Sequence, residues 1–278
     1  MKKLILGICI AQLFLSSHVD AAGISVDAGL TPPEDRWILR TQMRFMQRKD
    51  HMNQKMKMYH YPVILAYGLR SNTTLMIRQA LVQQKMTMAL SEFSDWGFGD
   101  LFILGKYKLY RRNTESYTFG MSATLGLEFP TGNDPFTSST WDATGGFYTS
   151  YRRGAWALDA NVAYVWNGLM RKHNDTRDPG DELSFDWAIA HQISMGDHAR
   201  AALAPVLELS YKNYASDDAH GSDVPNTGES IFFLAPGLKC TLSSIILEGL
   251  LWVPLWQDQI GTQMEREVGF LIGTRYMF

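Results

Sequence analysis

From Tyr117 to Phe129 the chain alternates without a break. Tyr117, Phe119, Met121, Ala123, Leu125, Leu127 and Phe129 are apolar, and Thr118, Gly120, Ser122, Thr124, Gly126 and Glu128 stand between them. Successive side chains of a strand point to opposite faces, so this run specifies a strand with one apolar and one polar surface. Two further runs repeat the pattern. Trp156, Leu158, Ala160, Val162, Tyr164 and Trp166 alternate with Ala157, Asp159, Asn161 and Ala163. Leu183, Phe185, Trp187 and Ile189 alternate with Glu182, Ser184, Asp186 and Ala188. An ordinary globular strand has about five or six residues, whereas about ten residues tilted at about 45° cross a bilayer's hydrocarbon core.

Twelve segments of this kind can be laid out, at 36–46, 59–67, 73–82, 99–109, 117–129, 141–151, 155–166, 182–193, 200–212, 229–239, 243–253 and 266–278. Short connections fall at 68–72, 110–116, 152–154, 194–199 and 240–242, and long ones at 47–58, 83–98, 130–140, 167–181, 213–228 and 254–265. An even strand number with tight turns on one side and longer loops on the other is the rhythm of a bacterial outer-membrane barrel. The fold expected is all-β: a transmembrane antiparallel up-and-down β-barrel of about twelve strands, with both termini periplasmic. A secreted β-sandwich also alternates, but its strands would be shorter and its loops would not keep this rhythm. Trp37, Tyr59, Tyr67, Tyr107, Tyr117, Trp141, Tyr151, Trp156, Trp166 and Tyr211 fall near segment ends, where aromatic girdles meet lipid headgroups. The last segment alternates to a terminal Phe278, which resembles the signal read by the barrel-insertion machinery.

The remaining organisation follows. Lys2 and Lys3 precede an apolar run over 4–15, with Ala21 and Ala22 beyond, the layout of a secretory leader cut after Ala21 or Ala22. The expected division is a signal peptide over 1–22, a periplasmic or lumen-plugging segment over 23–35, and the barrel over 36–278. Removing the leader takes the formal charge from −2 to −3 and leaves Cys240 as the single thiol, so no internal disulfide is available. The apolar run is too short for a spanning helix. A near-neutral charge gives no reason to expect nucleic acid as a partner; membrane lipid and a small-molecule solute are the partners expected.

If the apolar set faces lipid, the other set lines the interior. It comprises Arg40, Arg44, Arg78, Lys106, Glu128, Asp159, Asp186, Glu208 and Glu248, joined by Lys108, Asp142, Glu267 and Arg275. Basic residues concentrate in the first four segments and acidic ones later. These charges can pair with one another to fill a narrow barrel, or they can line a polar conduit that binds solute; pairing is the stronger expectation for most of them, since buried charge is tolerated when paired.

Several runs together resemble a known family. They are Gly97-Phe98-Gly99-Asp100, Lys106-Tyr107, Leu127-Glu128-Phe129-Pro130-Thr131-Gly132, Pro236-Gly237-Leu238, the loop from Pro254 through Gln257, Asp258 and Gly261, and the terminal Tyr276-Met277-Phe278. In order and over roughly 60–278 they resemble the outer-membrane transporter-like family associated with the meta-pathway of phenol degradation. The resemblance implies a barrel passing small, often aromatic or hydrophobic, compounds by passive uptake, and it supplies no catalytic or ligand residues. The first long loop departs from the family pattern. The alternative is a surface-exposed binding or structural barrel with a blocked lumen.

Methionines crowd the early part of the chain: Met43, Met46, Met52, Met56, Met58, Met76, Met86 and Met88. Met52, Met56, Met58, Met86 and Met88 are expected in two outer loops as an apolar lip at the mouth, since thioethers make adaptable greasy surfaces. The rival reading is a copper-binding loop, since thioether and imidazole suit Cu(I), although Lys55 and Lys57 would repel a cation. His220 with Ser222, Asp217 or Asp218, and His191 near Ser194, are the pairs that could serve hydrolysis. The first lies in a Gly/Asp/Ser-rich turn sequence, and no third group is indicated to orient either base. Neither an enzyme nor a cofactor or metal is expected.

Overall fold

The computed structural model describes residues 21–88, 91–168, 170–172, 175–195 and 201–278. The leader expected over 1–22 lies outside the described residues except for Ala21 and Ala22, which are seated with the segment that follows them, bonded to Lys239 and Asp159. Twelve barrel strands follow one another: β1 (Trp37–Lys49), β2 (Lys55–Arg70), β3 (Thr73–Thr87), β4 (Glu92–Phe98 continuing as Leu101–Asn113), β5 (Thr118–Phe129) and β6 (Asp142–Arg153), then β7 (Trp156–Trp166), β8 (Glu182–His191), β9 (Ala201–Tyr214), β10 (Glu229–Leu242), β11 (Ile245–Gln259) and β12 (Gly269–Met277). Each pairs antiparallel with the next, and β12 pairs with β1 from Ile38↔Met277 to Phe45↔Phe270. The sheet is closed, and so has no edge strand to protect.

The alternation is set by what lies on either side of the wall. On β5, Leu125 and Leu127 are exposed on the outer face, while Ser122 and Thr124 are buried on the inner one. Leu75, Ile77, Leu207, Leu251 and Ile272 continue the outer apolar belt on other strands. Aromatic pairs mark both rims. Trp37–Tyr67 and Tyr117–Tyr151 stack at the short-turn end, and Phe129–Trp141 and Tyr164–Trp166 meet at the other. Gly154 and Ser243 take positive φ of 54° and 58°, the conformation that two-residue hairpins require.

The strands run farther outward than the sequence segments. The expected loops over 47–58, 83–98 and 254–265 are mostly strand: β1 and β2 pair up to Lys49↔Lys55, β2 and β3 to Lys55↔Thr87, and β11 extends to Gln259. The physical reason is an inversion of polarity. Above the bilayer the outer face meets water, so the outward positions become Gln47, Lys49, Lys55, Lys57 and Lys85, and the apolar side chains turn inward. The backbone ladder continues where the apolar-outside signal stops.

The barrel is filled on its short-turn half. Residues 21–31, ahead of β1, lie inside, where Ala22, Ile24, Val26 and Leu30 are all buried. Ala22, Ile24 and Val26 pack with inward Ala188, Ala190, Val206, Ala235, Leu250 and Leu271 into one apolar cluster.

Candidate transport lumen

All nine expected interior residues stand on the inner face, but they divide into two groups. Five hold the chain's own N-terminal segment, directly or through a neighbour. Asp159 Oδ2 accepts from the Ala22 amide at 2.6 Å. Glu208 accepts from the amides of Ile24 and Ser25 and from the Ser25 hydroxyl. Lys106 donates to the Ala28 carbonyl at 2.8 Å. Arg40 donates to the Ile24 carbonyl and to Glu248. Glu248 in turn accepts from Gln42 at 2.7 Å and pairs with Arg275 at 3.1 Å. Lys239 donates to the Ala21 carbonyl, and Ser150 to Asp159 while accepting from the Gly29 amide. Buried backbone polar groups need partners, and here the wall's ionic side chains supply them.

The wall is also shaped for this segment. A β-carbon on Gly120 would lie 2.5 Å from Leu30 Cδ2, and one on Gly237 would lie 2.8 Å from Ile24 Cδ1. A side chain at either position would have to displace the Leu30 or Ile24 side chain, so the two glycines leave room for the segment.

The other four, Arg44, Arg78, Glu128 and Asp186, line the outer half of the lumen. Arg78 pairs with Glu128 at 2.8 Å and lies over the Phe102 ring at 4.4 Å. Asp186 accepts from the Ser210 hydroxyl at 2.5 Å. Toward the mouth, Lys212 pairs with Glu182 at 2.6 Å, and Glu229 is held by both Arg48 and Arg266. Lys212, Arg48 and Glu229 also lie on polar interior positions, readable from strand parity alone. Lys108 is bonded at the short-turn rim to the Ser71 carbonyl, and Glu267 accepts from Gln47.

Met56, Met58 and Met86 are strand residues, not the loop residues expected. With Met46 they form one inward patch, since Met46 pairs with Met58 and Met56 with Met86. Lys55 and Lys57 occupy the opposite parity and so lie on the other face from the thioethers. Met52 is on the exposed turn between β1 and β2, at 74% exposure, and Met88 follows the end of β3. The histidine–serine pairs are drawn apart in role. His220 occupies a positive-φ turn with φ of 56°, Asp217 is ion-paired with Arg177, and His191 packs edge-on to Trp156 at the opposite rim.

The two motif runs with the most distinctive residues lock together at the outer rim. Asp100, between the two parts of β4, accepts from the amides of Gly132 at 2.8 Å and Ser138 at 2.7 Å. The Phe98 amide donates to Asn133 Oδ1 and the Leu101 amide to Thr131 Oγ1. The Gly-Phe-Gly-Asp and Pro-Thr-Gly runs are therefore one structural device that pins the loop between β5 and β6.

A closed twelve-stranded barrel with a lipid-facing belt, aromatic rims and a charged interior is a bacterial outer-membrane barrel, with the fold of outer-membrane channels. The chain belongs to the family described as putative MetA-pathway of phenol degradation, whose model matches residues 61–246. An outer membrane channel from Pseudomonas putida F1 is similar in structure, with a TM-score of 0.72 at 16% identity, covering 91% of this chain and all of that one. The beta domain of the Bordetella autotransporter BrkA is similar at a TM-score of 0.48 and 13% identity, over 89% of this chain and 100% of that one. No curated protein sequence matches the chain.

Proposed function

We propose that the protein is an outer-membrane channel for passive uptake of small, hydrophobic or aromatic compounds. Such a solute meets the thioether patch of Met46, Met56, Met58 and Met86 at the mouth, descends into the charged outer lumen, and crosses when residues 21–31 leave the inner half. The observation that carries this reading is the inward methionine patch directly above a polar interior. Clustered thioethers form an adaptable apolar surface, and structure alone does not require one at a water-filled mouth. The barrel is held in the membrane by its apolar belt, and Phe278 is its contact with the insertion machinery.

The dense anchoring of the N-terminal segment favours a second reading, a binding barrel whose lumen stays blocked. Uptake into liposomes by the full chain separates the two. The channel reading expects toluene-sized aromatic solutes to pass faster than sugars, and substituting the four methionines by Gln to slow the aromatic solutes and spare small hydrophilic ones. Impermeability to every solute, both in the full chain and after weakening the anchors of residues 21–31, would leave the blocked barrel.

A further inference from the structure

Among the described residues, the inward-facing arginines of the barrel strands pair with carboxylates, except Arg44 and, at the short-turn rim, Arg111, which donates to the neutral Asn113 Oδ1 at 3.1 Å. Arg40, Arg78, Arg152 and Arg275 each pair with a carboxylate, and so do Arg48 and Arg266 near the mouth. Arg44, partly buried on β1, does not. Its Nε and Nη2 donate to a single neutral acceptor, Gln42 Oε1, at 2.9 and 2.7 Å. A guanidinium has five donors in a planar fork, so Nη1 and the second hydrogen of Nη2 stay available toward the lumen. Gln42 in turn donates to Glu248 at 2.7 Å, so Arg44 reaches a carboxylate only through a neutral amide. Taking a charge out of bulk water without a directly opposing ion is expensive, and the guanidinium keeps donors for an anion from the lumen.

The surroundings give the vacancy a chemistry. Arg44 pairs across the ladder with His60, whose imidazole has no hydrogen-bond partner among the described residues. Two positions farther out on the same face of each strand stand Met46 and Met58, themselves cross-strand partners. A cationic fork thus lies immediately below an apolar patch. Two carboxylates lie near Arg44 without an ion pair to it: Glu248, reached through Gln42, and Asp27 on the lumen segment.

We infer that Arg44, beside His60, is a binding site for the carboxylate of an amphipathic solute whose aromatic or aliphatic body lies against Met46 and Met58. This rests on the uptake reading above and narrows it from hydrophobic compounds in general to organic monocarboxylates. The guanidinium supplies two parallel N–H donors to the two carboxylate oxygens, the geometry for which arginine is preferred. Asp27 competes for the same charge.

The test is equilibrium dialysis of the full chain in uncharged detergent against labelled benzoate and labelled benzyl alcohol, with empty micelles as blank. Benzyl alcohol keeps the ring and lacks the carboxylate. Loss of a charge-assisted bidentate contact weakens benzoate binding about tenfold or more in Arg44→Gln, leaves benzyl alcohol unchanged, and is partly restored in Arg44→Lys. Asp27→Asn tightens benzoate. Equal benzoate affinity in the parent and Arg44→Gln, or a parallel loss of both ligands, overturns the site. Retention of the folded band in unheated gels checks each variant's barrel. Liposome uptake is read separately. Benzoate binding that depends on Arg44 without any transport removes the channel reading and keeps the anion site, whereas transport with binding indifferent to Arg44 does the reverse.

Discussion

Glu208 is the side chain on which the docking of residues 21–31 leans most heavily, and its removal should free them. It is 1% exposed and accepts from two consecutive amides and one hydroxyl of the segment. In Glu208→Ala the amides of Ile24 and Ser25 lose their acceptor while the segment is docked. Each buried donor left unmet costs about 1–3 kcal/mol. Against this, the docked state no longer has to dehydrate a carboxylate, so about 3–4 kcal/mol is a fair net figure for the pair. At about 1.4 kcal/mol per tenfold, the ratio of undocked to docked segment rises about 10²–10³-fold. Glu208→Gln keeps one acceptor oxygen and should fall near tenfold. The assay is the rate at which a membrane-impermeant maleimide modifies Val26→Cys in a Cys240→Ser background, because Val26 is 4% exposed when docked and reacts only after release. The order Ala, Gln, parent is expected in labelling rate and in single-channel conductance. If Glu208→Ala labels within twofold of the parent while its barrel remains folded, the segment is not held by this carboxylate and the reasoning fails.

Two other outcomes are expected. Glu248→Gln leaves Arg40 and Arg275, both 8% exposed, without their shared anion; removing one partner of a buried pair costs about 3–5 kcal/mol. This should appear as a lower temperature of conversion from the compact to the unfolded band in detergent gels. Phe278→Ala removes the terminal ring that stacks on Tyr276 at 5.2 Å and should reduce the amount of assembled barrel recovered from the outer membrane, while protein that does assemble conducts as the parent does.

The wall was legible in the sequence because lipid imposes a single rule on one face of every strand. Tyr117–Phe129 states that rule plainly, and parity alone puts Arg40, Lys106, Asp186 and Glu248 inside. The rule lapses where water replaces lipid, which is why Met56, Met58 and Met86 read as loop residues although they belong to paired strands. Residues 23–35 carry no periodicity, so their position stayed open between periplasm and lumen. What orders them is a set of contacts made at great separation in sequence, such as Ile24 with Glu208 across 184 residues. Parity gives the face on which Asp159 or Glu208 stands, but nothing local names the partner across the lumen. Gly120 and Gly237 were visible only as small residues within strands, because the Leu30 and Ile24 side chains they accommodate come from elsewhere in the chain.

The place of Arg40 has a consequence for assembly. β1 follows the lumen segment directly, and it is also the strand that must meet β12, where Arg40 lies opposite Arg275 in the ladder. The receptacle for residues 21–31 includes Glu208 on β9, Gly237 and Lys239 on β10 and Glu248 on β11, so it is incomplete until the wall is nearly whole. The part of the barrel's chain that precedes every strand is therefore the last to find its seat. Joining ends so far apart also carries a loop-closure cost that only the finished ring offsets. Seating of residues 21–31 is thereby tied to closure of the wall, since Arg40, which donates to the Ile24 carbonyl, stands on the strand that completes the ring.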